Sequence, residues 1–141
     1  MAMLNNDISK ENRYTYSFKI DYPESKAGRT SWNANYSLNA YYAGKHWSVR
    51  KADAQYWHAL VCDAIGREKV QPKICPAPVF ISFFFNDNLD CSNHAAMAKM
   101  IEDAIKGIII QDDSPKYVRG IFIGFHDKPY IQIDVKQCKD A

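Results

Sequence analysis

The stretch "VFISFFFNDNLDCSNHAAMAKMIEDAIKGIII", from Val79 to Ile110, contains the two elements that decide the fold. Its first seven residues, Val79 to Phe85, are almost all β-branched or aromatic, which favours a central strand covered on both faces. After Asp90, apolar side chains recur at helical spacing, with Ser92 or Asn93 as the predicted helix cap. The apolar stripe consists of Met97, Met100, Ile101, Ala104, Ile105 and Ile108. A strand followed by an amphipathic helix therefore forms the centre of the predicted fold.

The segments on either side complete an α+β domain. Arg13 to Asp21 alternates between polar and apolar residues and predicts a first strand, and Arg50 to Ile65 has the apolar spacing of a helix. Between them, residues 22–45 are rich in Ser, Asn, Gly and Tyr and predict a long loop. Tyr117 to Phe125 and Tyr130 to Lys136, joined by "HDKP", predict a C-terminal hairpin. This order of elements is typical of an α+β domain.

Length and composition limit the classes of protein to consider. A chain of 141 residues is enough for one domain with a hydrophobic core, so we expect a single domain over residues 1–141, with 1–12 as a flexible N-terminal tail. The net charge is only +2, so contacts with nucleic acid would have to come from local clusters of basic residues. The four cysteines lack CxxC spacing, which favours reduced thiols. No apolar run approaches the roughly 20 residues of a membrane span, so we expect a cytoplasmic protein with no membrane partner.

The polar residues around the second predicted helix have ordinary structural roles when each is taken alone. The sequence "DDSP", from Asp112 to Pro115, is typical of a turn, and Lys99 is typical of a solvated helix face, paired with Asp103 four residues later. The histidines lack the spacing of zinc ligands and indicate surface or partly packed side chains. The Tyr and Trp residues between Trp32 and Trp57 favour packing in the core or in loops over base stacking.

Taken together, these residues form a more specific pattern. The segment "DCSNHAAMAKMIEDAIKGIIIQDDSP", from Asp90 to Pro115, resembles the motif of the RusA family of Holliday-junction resolvases. That motif runs Asp-x-Asp-Asn, then a helix with a Lys followed four residues later by an Asp, then Asp-Asp after the helix. The second acid of the motif is replaced by Ser92, and a looser similarity extends from Ser37 to Lys136. The matching positions are Asp90, Asn93, Lys99, Asp103, Asp112 and Asp113.

The resemblance implies a fold, an activity and a biological setting. The implied fold is a mixed β-sheet packed by two main helices. The implied activity is that of a structure-selective endodeoxyribonuclease that resolves four-way (Holliday) or branched DNA by hydrolysing phosphodiesters with Mg²⁺, or with Mn²⁺ as a substitute. The family also implies a homodimer of bacterial, prophage or phage origin.

The chemistry of phosphodiester hydrolysis assigns a role to each group of residues. Carboxylates must converge to hold Mg²⁺, and we expect Asp90, Asp112 and Asp113 to be its ligands. Asp90, Lys99 and Asp113 are the expected catalytic residues, with Lys99 offsetting charge on the scissile phosphate or the leaving oxygen. Contacts to the DNA backbone position the substrate without reading its sequence. The expected DNA-binding residues are Lys45, His46, Arg50, Lys51 and, from the motif, Asn93.

The serine at position 92 leaves a second hypothesis open. Loss of one carboxylate removes an anionic ligand, which would lower metal affinity or activity. Its place could be taken by the Ser92 hydroxyl, by Asp87, by Asp112 or by oxygens of the substrate, and the sequence does not choose among them. The alternative function is therefore that of a non-catalytic or weakly catalytic protein that binds DNA junctions.

Overall fold

The computed structural model describes residues 13–138, so the predicted tail at residues 1–12 lies outside the described part of the chain. Four strands, four α-helices and one 3₁₀ helix make up this part, which confirms the predicted α+β class. In chain order they are β1 (Thr15–Asp21), α1 (Lys26–Tyr36), α2 (Leu38–Tyr42), α3 (Trp47–Gly66), β2 (Val79–Phe85), the 3₁₀ helix (Cys91–His94), α4 (Ala95–Ile105), β3 (Val118–Phe125) and β4 (Tyr130–Gln137).

The four strands form one mixed sheet in the order β1-β4-β2-β3. Strand β2 is parallel to β3 and antiparallel to β4, and β4 is antiparallel to β1. The predicted C-terminal hairpin is therefore wrong, because β2 lies between β3 and β4. Residues 126–129 cross the end of β2, where the His126 backbone N–H donates to the Phe85 carbonyl at 3.0 Å. Four residues at about 3.3 Å each can span two strand spacings of about 4.8 Å, so a short connection does not require a hairpin.

The prediction of a long loop over residues 22–45 is also wrong, because α1 and α2 occupy most of it. The serines of this segment are helix caps: the Oγ atoms of Ser25 and Ser37 each accept a backbone N–H from the first turn of α1 and α2. The aromatic residues face the core, and the Trp32 and Tyr36 rings lie 4.9 and 5.5 Å from the Trp57 ring of α3. The Ser, Asn, Gly and Tyr residues that suggested a loop therefore belong to two helices, which have serine caps and bury aromatic side chains.

Helices α3 and α4 cover one face of the sheet, and this layer holds the core. The sheet residues buried on this face are Tyr16, Phe18 and Ile20 of β1, Val79, Ile81, Phe83 and Phe85 of β2, and Ile131, Ile133 and Val135 of β4. The helix residues buried with them include Trp57, Val61 and Ala64 of α3 and Met97, Ile101 and Ile105 of α4. The prediction that β2 is covered on both faces is wrong, because Phe80 on the opposite face is 51% exposed.

Helix α4 has the predicted register but a different start. Met97, Ile101, Ala104 and Ile105 are buried, as the apolar stripe predicted. The predicted cap is wrong, because the 3₁₀ helix intervenes and α4 begins only at Ala95. Within residues 13–138, no helix is both long and apolar enough to cross a membrane.

Candidate metal and phosphate site

The Lys99 side chain, on the outer face of α4, is surrounded by carboxylates. Its Nζ atom lies 2.8 Å from Asp113 Oδ2, 3.0 Å from Asp103 Oδ1 and 3.7 Å from Glu102 Oε1. Lys106 Nζ lies 3.4 Å from Asp103 Oδ1 and 3.5 Å from Asp113 Oδ2. The helical spacing of i+3 and i+4 places Glu102 and Asp103 beside Lys99. We call these five residues the acidic cluster.

A fixed turn after α4 brings Asp113 back to Lys99. Gly107 has φ +79°, a backbone conformation that favours glycine, and its N–H donates to the Ile110 carbonyl at 2.8 Å. Ile109 and Ile110 are 0% and 1% exposed, and the Ile109 carbonyl accepts the N–H of Cys75 at 2.8 Å. The turn is therefore anchored in the core, and Asp113 follows it at a fixed position.

The charges of the acidic cluster do not balance. Three carboxylates face two ammonium groups, which leaves a net charge of −1 when all five residues are ionised. The hydrogen bond from Lys99 lowers the pKa of Asp113 well below its usual range, and the same bond raises the pKa of Lys99. Burial, helped by the nearby carboxylates, raises the pKa of Glu102. Asp113 therefore stays ionised at neutral pH and keeps its negative charge beside Lys99.

Three carboxylates of this cluster are close enough together that they could hold a metal ion. One carboxylate oxygen each from Glu102, Asp103 and Asp113 lies within 4.8 Å of the others, and all three residues are at least partly exposed. Mg²⁺ takes oxygen ligands of this kind. In the free protein, however, the Lys99 ammonium lies among the same oxygens, so a metal ion would have to compete with it.

This group of oxygens differs from the predicted set of ligands. Within residues 13–138 the group that meets this distance shares only Asp113 with the prediction and contains neither Asp90 nor Asp112. Both are exposed, and Asp90 occupies the N-cap position of the 3₁₀ helix without a side-chain capping hydrogen bond. Glu102 and Asp103 were missed as ligands, although their i+3 and i+4 spacing from Lys99 was visible in the sequence.

A buried contact between Asp87 and His94 holds the segment that carries Asp90. His94 Nε2 lies 2.7 Å from Asp87 Oδ1, Tyr22 donates its hydroxyl to Asp87 Oδ2 at 3.0 Å, and His94 Nδ1 lies 3.1 Å from the Cys91 carbonyl. Burial alone would raise the pKa of Asp87, but the hydrogen bond and charge of His94 outweigh it and lower that pKa. The prediction of a surface or partly packed histidine is wrong for His94, which is 0% exposed.

The predicted DNA-binding residues fall into two groups. Lys45 Nζ lies 2.7 Å from Asp53 Oδ2 and its side chain is only 12% exposed, so it is a structural residue rather than a surface contact. His46 caps α3 by accepting a backbone N–H of its first turn. Arg50 and Lys51, in contrast, are exposed, and neither forms an ion pair with any of residues 13–138.

The two remaining motif positions, Asn93 and Ser92, have different environments. Asn93 Oδ1 accepts the backbone N–H of Asn39 at 2.9 Å, which joins the 3₁₀ helix to α2. Asn93 is therefore engaged in a structural contact, whereas Ser92 is exposed.

No family model matches the chain, and no curated protein matches it either. The resemblance to the RusA family therefore remains a prediction from the motif between Asp90 and Pro115.

Proposed function

We propose that the protein is a structure-selective endodeoxyribonuclease that hydrolyses phosphodiesters of four-way or branched DNA with Mg²⁺ or Mn²⁺. The observation that carries the proposal is the acidic cluster, in which the Lys99 ammonium and the Asp113 carboxylate are 2.8 Å apart on a partly exposed surface. Metal-dependent hydrolysis of a phosphodiester uses a cation site and a positive group for the phosphate, and the cluster contains candidate residues for both.

Each residue of the cluster has a distinct proposed role. Glu102, Asp103 and Asp113 hold the cation, with the exposed Asp90 and Asp112 as further ligands that the family motif suggests. A bound Mg²⁺ would neutralise charge on the phosphoryl oxygens and activate a water. Lys99 neutralises part of the carboxylate charge in the free protein. Because the lysine side chain is flexible, its ammonium can turn from them to an oxygen of the bound phosphate.

The same proposal extends to the DNA surface and the assembly. Arg50 and Lys51 are the two exposed cations of the predicted DNA-binding set, and we assign them to contacts with the phosphate backbone. A four-way junction has two-fold symmetry and needs two incisions. A homodimer would place two equivalent sites on it, which is the assembly that we propose.

A second candidate is a protein that binds junctions but cuts them weakly or not at all. Two observations favour it: Ser92 replaces an acid of the motif, and the ammonium of Lys99 already neutralises part of the cluster. Both features reduce the attraction for a divalent cation.

Incubation with a synthetic four-way junction tests the proposal. With Mg²⁺ or Mn²⁺ present, we expect paired nicks at symmetric positions, and no nicks in a linear duplex of the same sequence. Binding of the junction without nicks would support the second candidate. Equal cutting of the junction and the linear duplex would contradict structure selectivity.

A further inference from the structure

Two large aromatic side chains, Tyr42 and Trp47, are exposed at the two ends of the connection between α2 and α3. Tyr42 is 81% exposed and Trp47 is 63% exposed. The other two tryptophans of the chain, Trp32 and Trp57, are 9% and 0% exposed. A single exposed aromatic is common on protein surfaces, whereas here two lie on either side of a four-residue connection. We call Tyr42 and Trp47 together the patch.

The connection that carries these aromatics is held by a buried network. Asp53 is 7% exposed, and its Oδ2 atom accepts hydrogen bonds from Lys45 Nζ and from the Tyr41 hydroxyl, both at 2.7 Å. The Lys45 ammonium also lies 4.6 Å from the centre of the Tyr41 ring. Tyr42 and Trp47 are therefore presented from a fixed base, which lowers the entropy lost when a flat ligand stacks on them.

The charge around this patch is positive. Between Tyr42 and Trp57 the chain has three Lys or Arg residues, Lys45, Arg50 and Lys51, and a single acid, the buried Asp53 that Lys45 neutralises. Arg50 and Lys51, within the first five residues of α3, are exposed. Aromatic faces beside unpaired cations are the features that bind single-stranded nucleic acid, because bases stack on the rings while the cations hold phosphates.

The patch is also joined to the helix of the acidic cluster. The hydroxyl oxygen of Tyr41, the neighbour of Tyr42, lies 3.6 Å from Met100 Sδ, and Met100 directly follows Lys99 in α4. A second contact, between Asn39 and Asn93, joins α2 to the 3₁₀ helix. A strand held on the patch would therefore lie beside the elements that carry the proposed site.

We propose that Tyr42 and Trp47 form a stacking platform for unpaired bases at the branch point of DNA, with Arg50 and Lys51 holding the adjacent phosphates. The choice of DNA as the partner rests on the proposed function. The platform would give the protein a preference for branched substrates with unstacked bases, because a fully paired duplex offers no free base face.

Binding to fluorescently labelled DNA, measured by anisotropy with EDTA to prevent cleavage, tests this proposal. The substrates are a junction with unpaired thymines at the branch point and a linear duplex of equal length. Stacking on one ring changes affinity by about 5- to 150-fold, so Trp47→Ala and Tyr42→Ala should each weaken junction binding by about 5-fold or more. Both variants should leave the weaker binding of the duplex unchanged, and Trp47→Phe should retain most of the junction affinity.

A matched control is Phe122→Ala, which removes an aromatic side chain that is 55% exposed on the open face of the sheet, away from α2 and α3. It should leave junction binding unchanged. Equal loss for Phe122→Ala and Trp47→Ala would overturn the proposal, as would equal loss on the junction and on the duplex. Tighter binding of an RNA junction with the same unpaired bases would overturn the assignment to DNA.

Two further measurements separate base stacking from a protein–protein contact and from the proposed nuclease activity. Sedimentation of the native, Tyr42→Ala and Trp47→Ala proteins should give the same oligomeric state, and a change would mean that the patch contacts protein instead. If the native protein cuts junctions but binds the junction with unpaired bases no more tightly than the duplex, the platform alone is overturned. An intact preference in a protein that never cuts would overturn only the proposed nuclease.

Discussion

Two lysine–aspartate contacts in this protein have nearly the same length and different surroundings. Lys45 and Asp53 are 2.7 Å apart with side chains 12% and 9% exposed, whereas Lys99 and Asp113 are 2.8 Å apart and 59% and 22% exposed. The first pair is completed by the Tyr41 hydroxyl, and the second shares its lysine among three carboxylates. Burial and the balance of charge, rather than contact distance, therefore decide the role of each ion pair.

The largest effect should come from breaking the buried pair. Asp53→Asn leaves the Lys45 ammonium buried without a counter-charge, which should lower the free energy of unfolding by about 3–5 kcal/mol. Urea unfolding measures this loss. The control is Asp63→Asn on the same helix, whose carboxylate is 69% exposed and pairs with Arg67, and which should cost less than about 1 kcal/mol. A similar loss of unfolding free energy in the two variants would mean that burial does not make the Lys45–Asp53 pair more important for stability than an exposed pair.

The exposed pair should show the opposite behaviour, with little effect on stability and a large effect on activity. Asp113→Asn should change the free energy of unfolding by less than about 1 kcal/mol. Because it removes a proposed metal ligand, incision of four-way junctions should fall by about 100-fold or more. Junction binding should persist or tighten, since the variant removes an anion that faces phosphates. Loss of both binding and incision in a folded protein would argue against this role.

Acid sensitivity should separate the buried Asp87–His94 pair from surface acids. The pKa of Asp87 is lowered from 3.8 on folding, so its stabilising contribution is present above that pH and is lost as the pH falls further. One proton taken up on unfolding changes the free energy by at most about 1.4 kcal/mol per pH unit. Urea unfolding between pH 2 and pH 6 should therefore show a shallower acid decline for Asp87→Asn than for the native protein. If the free energy of unfolding fell with pH equally in the variant and the native protein, Asp87 would not contribute to the acid sensitivity.

The smallest effect should come from restoring the missing acid of the motif. Ser92 is exposed within the 3₁₀ helix, so Ser92→Asp should change stability by less than about 0.5 kcal/mol. If position 92 belongs to the metal site, the substitution adds an anionic ligand. The Mg²⁺ concentration that gives half-maximal junction cleavage should then fall. An unchanged dependence on Mg²⁺ in a folded variant would mean that position 92 lies outside the site and that the alignment of the motif is wrong. Slower cleavage would mean that the site has re-formed around Ser92.

The regular spacing of apolar residues predicted those elements that bury one face along their whole length. The strand Val79–Phe85 and the buried stripe of α4 appear where the spacing of apolar residues placed them. The two capped helices in residues 22–45 were missed, because Ser, Asn and Tyr are common in loops and also serve as caps and as a buried aromatic face. The position of β2 between β3 and β4 is a non-local pairing that no turn signal encodes.

The candidate site was predicted in part for similar reasons. The pairing of Lys99 with Asp103 follows from helical spacing alone, and the contact between Lys99 and Asp113 required the anchored turn at Gly107. Lys45 was expected on the surface because a sequence shows the charge of a lysine but not the buried aspartate that it meets. The exposure of Trp47 among buried aromatics could not be seen either, since burial depends on how α2 and α3 pack.

Calorimetric titration of Mg²⁺ gives the sharpest test of the acidic cluster as a cation site. The native protein should show saturable binding, which Asp113→Asn should weaken by about tenfold or more. Lys99→Gln should strengthen it by about 5-fold, because it removes a competing positive charge worth about 1 kcal/mol at 4 Å in water. Asp63→Asn should leave it unchanged. Equal Mg²⁺ affinity in the native, Asp113→Asn and Lys99→Gln proteins would mean that the cluster does not bind the cation.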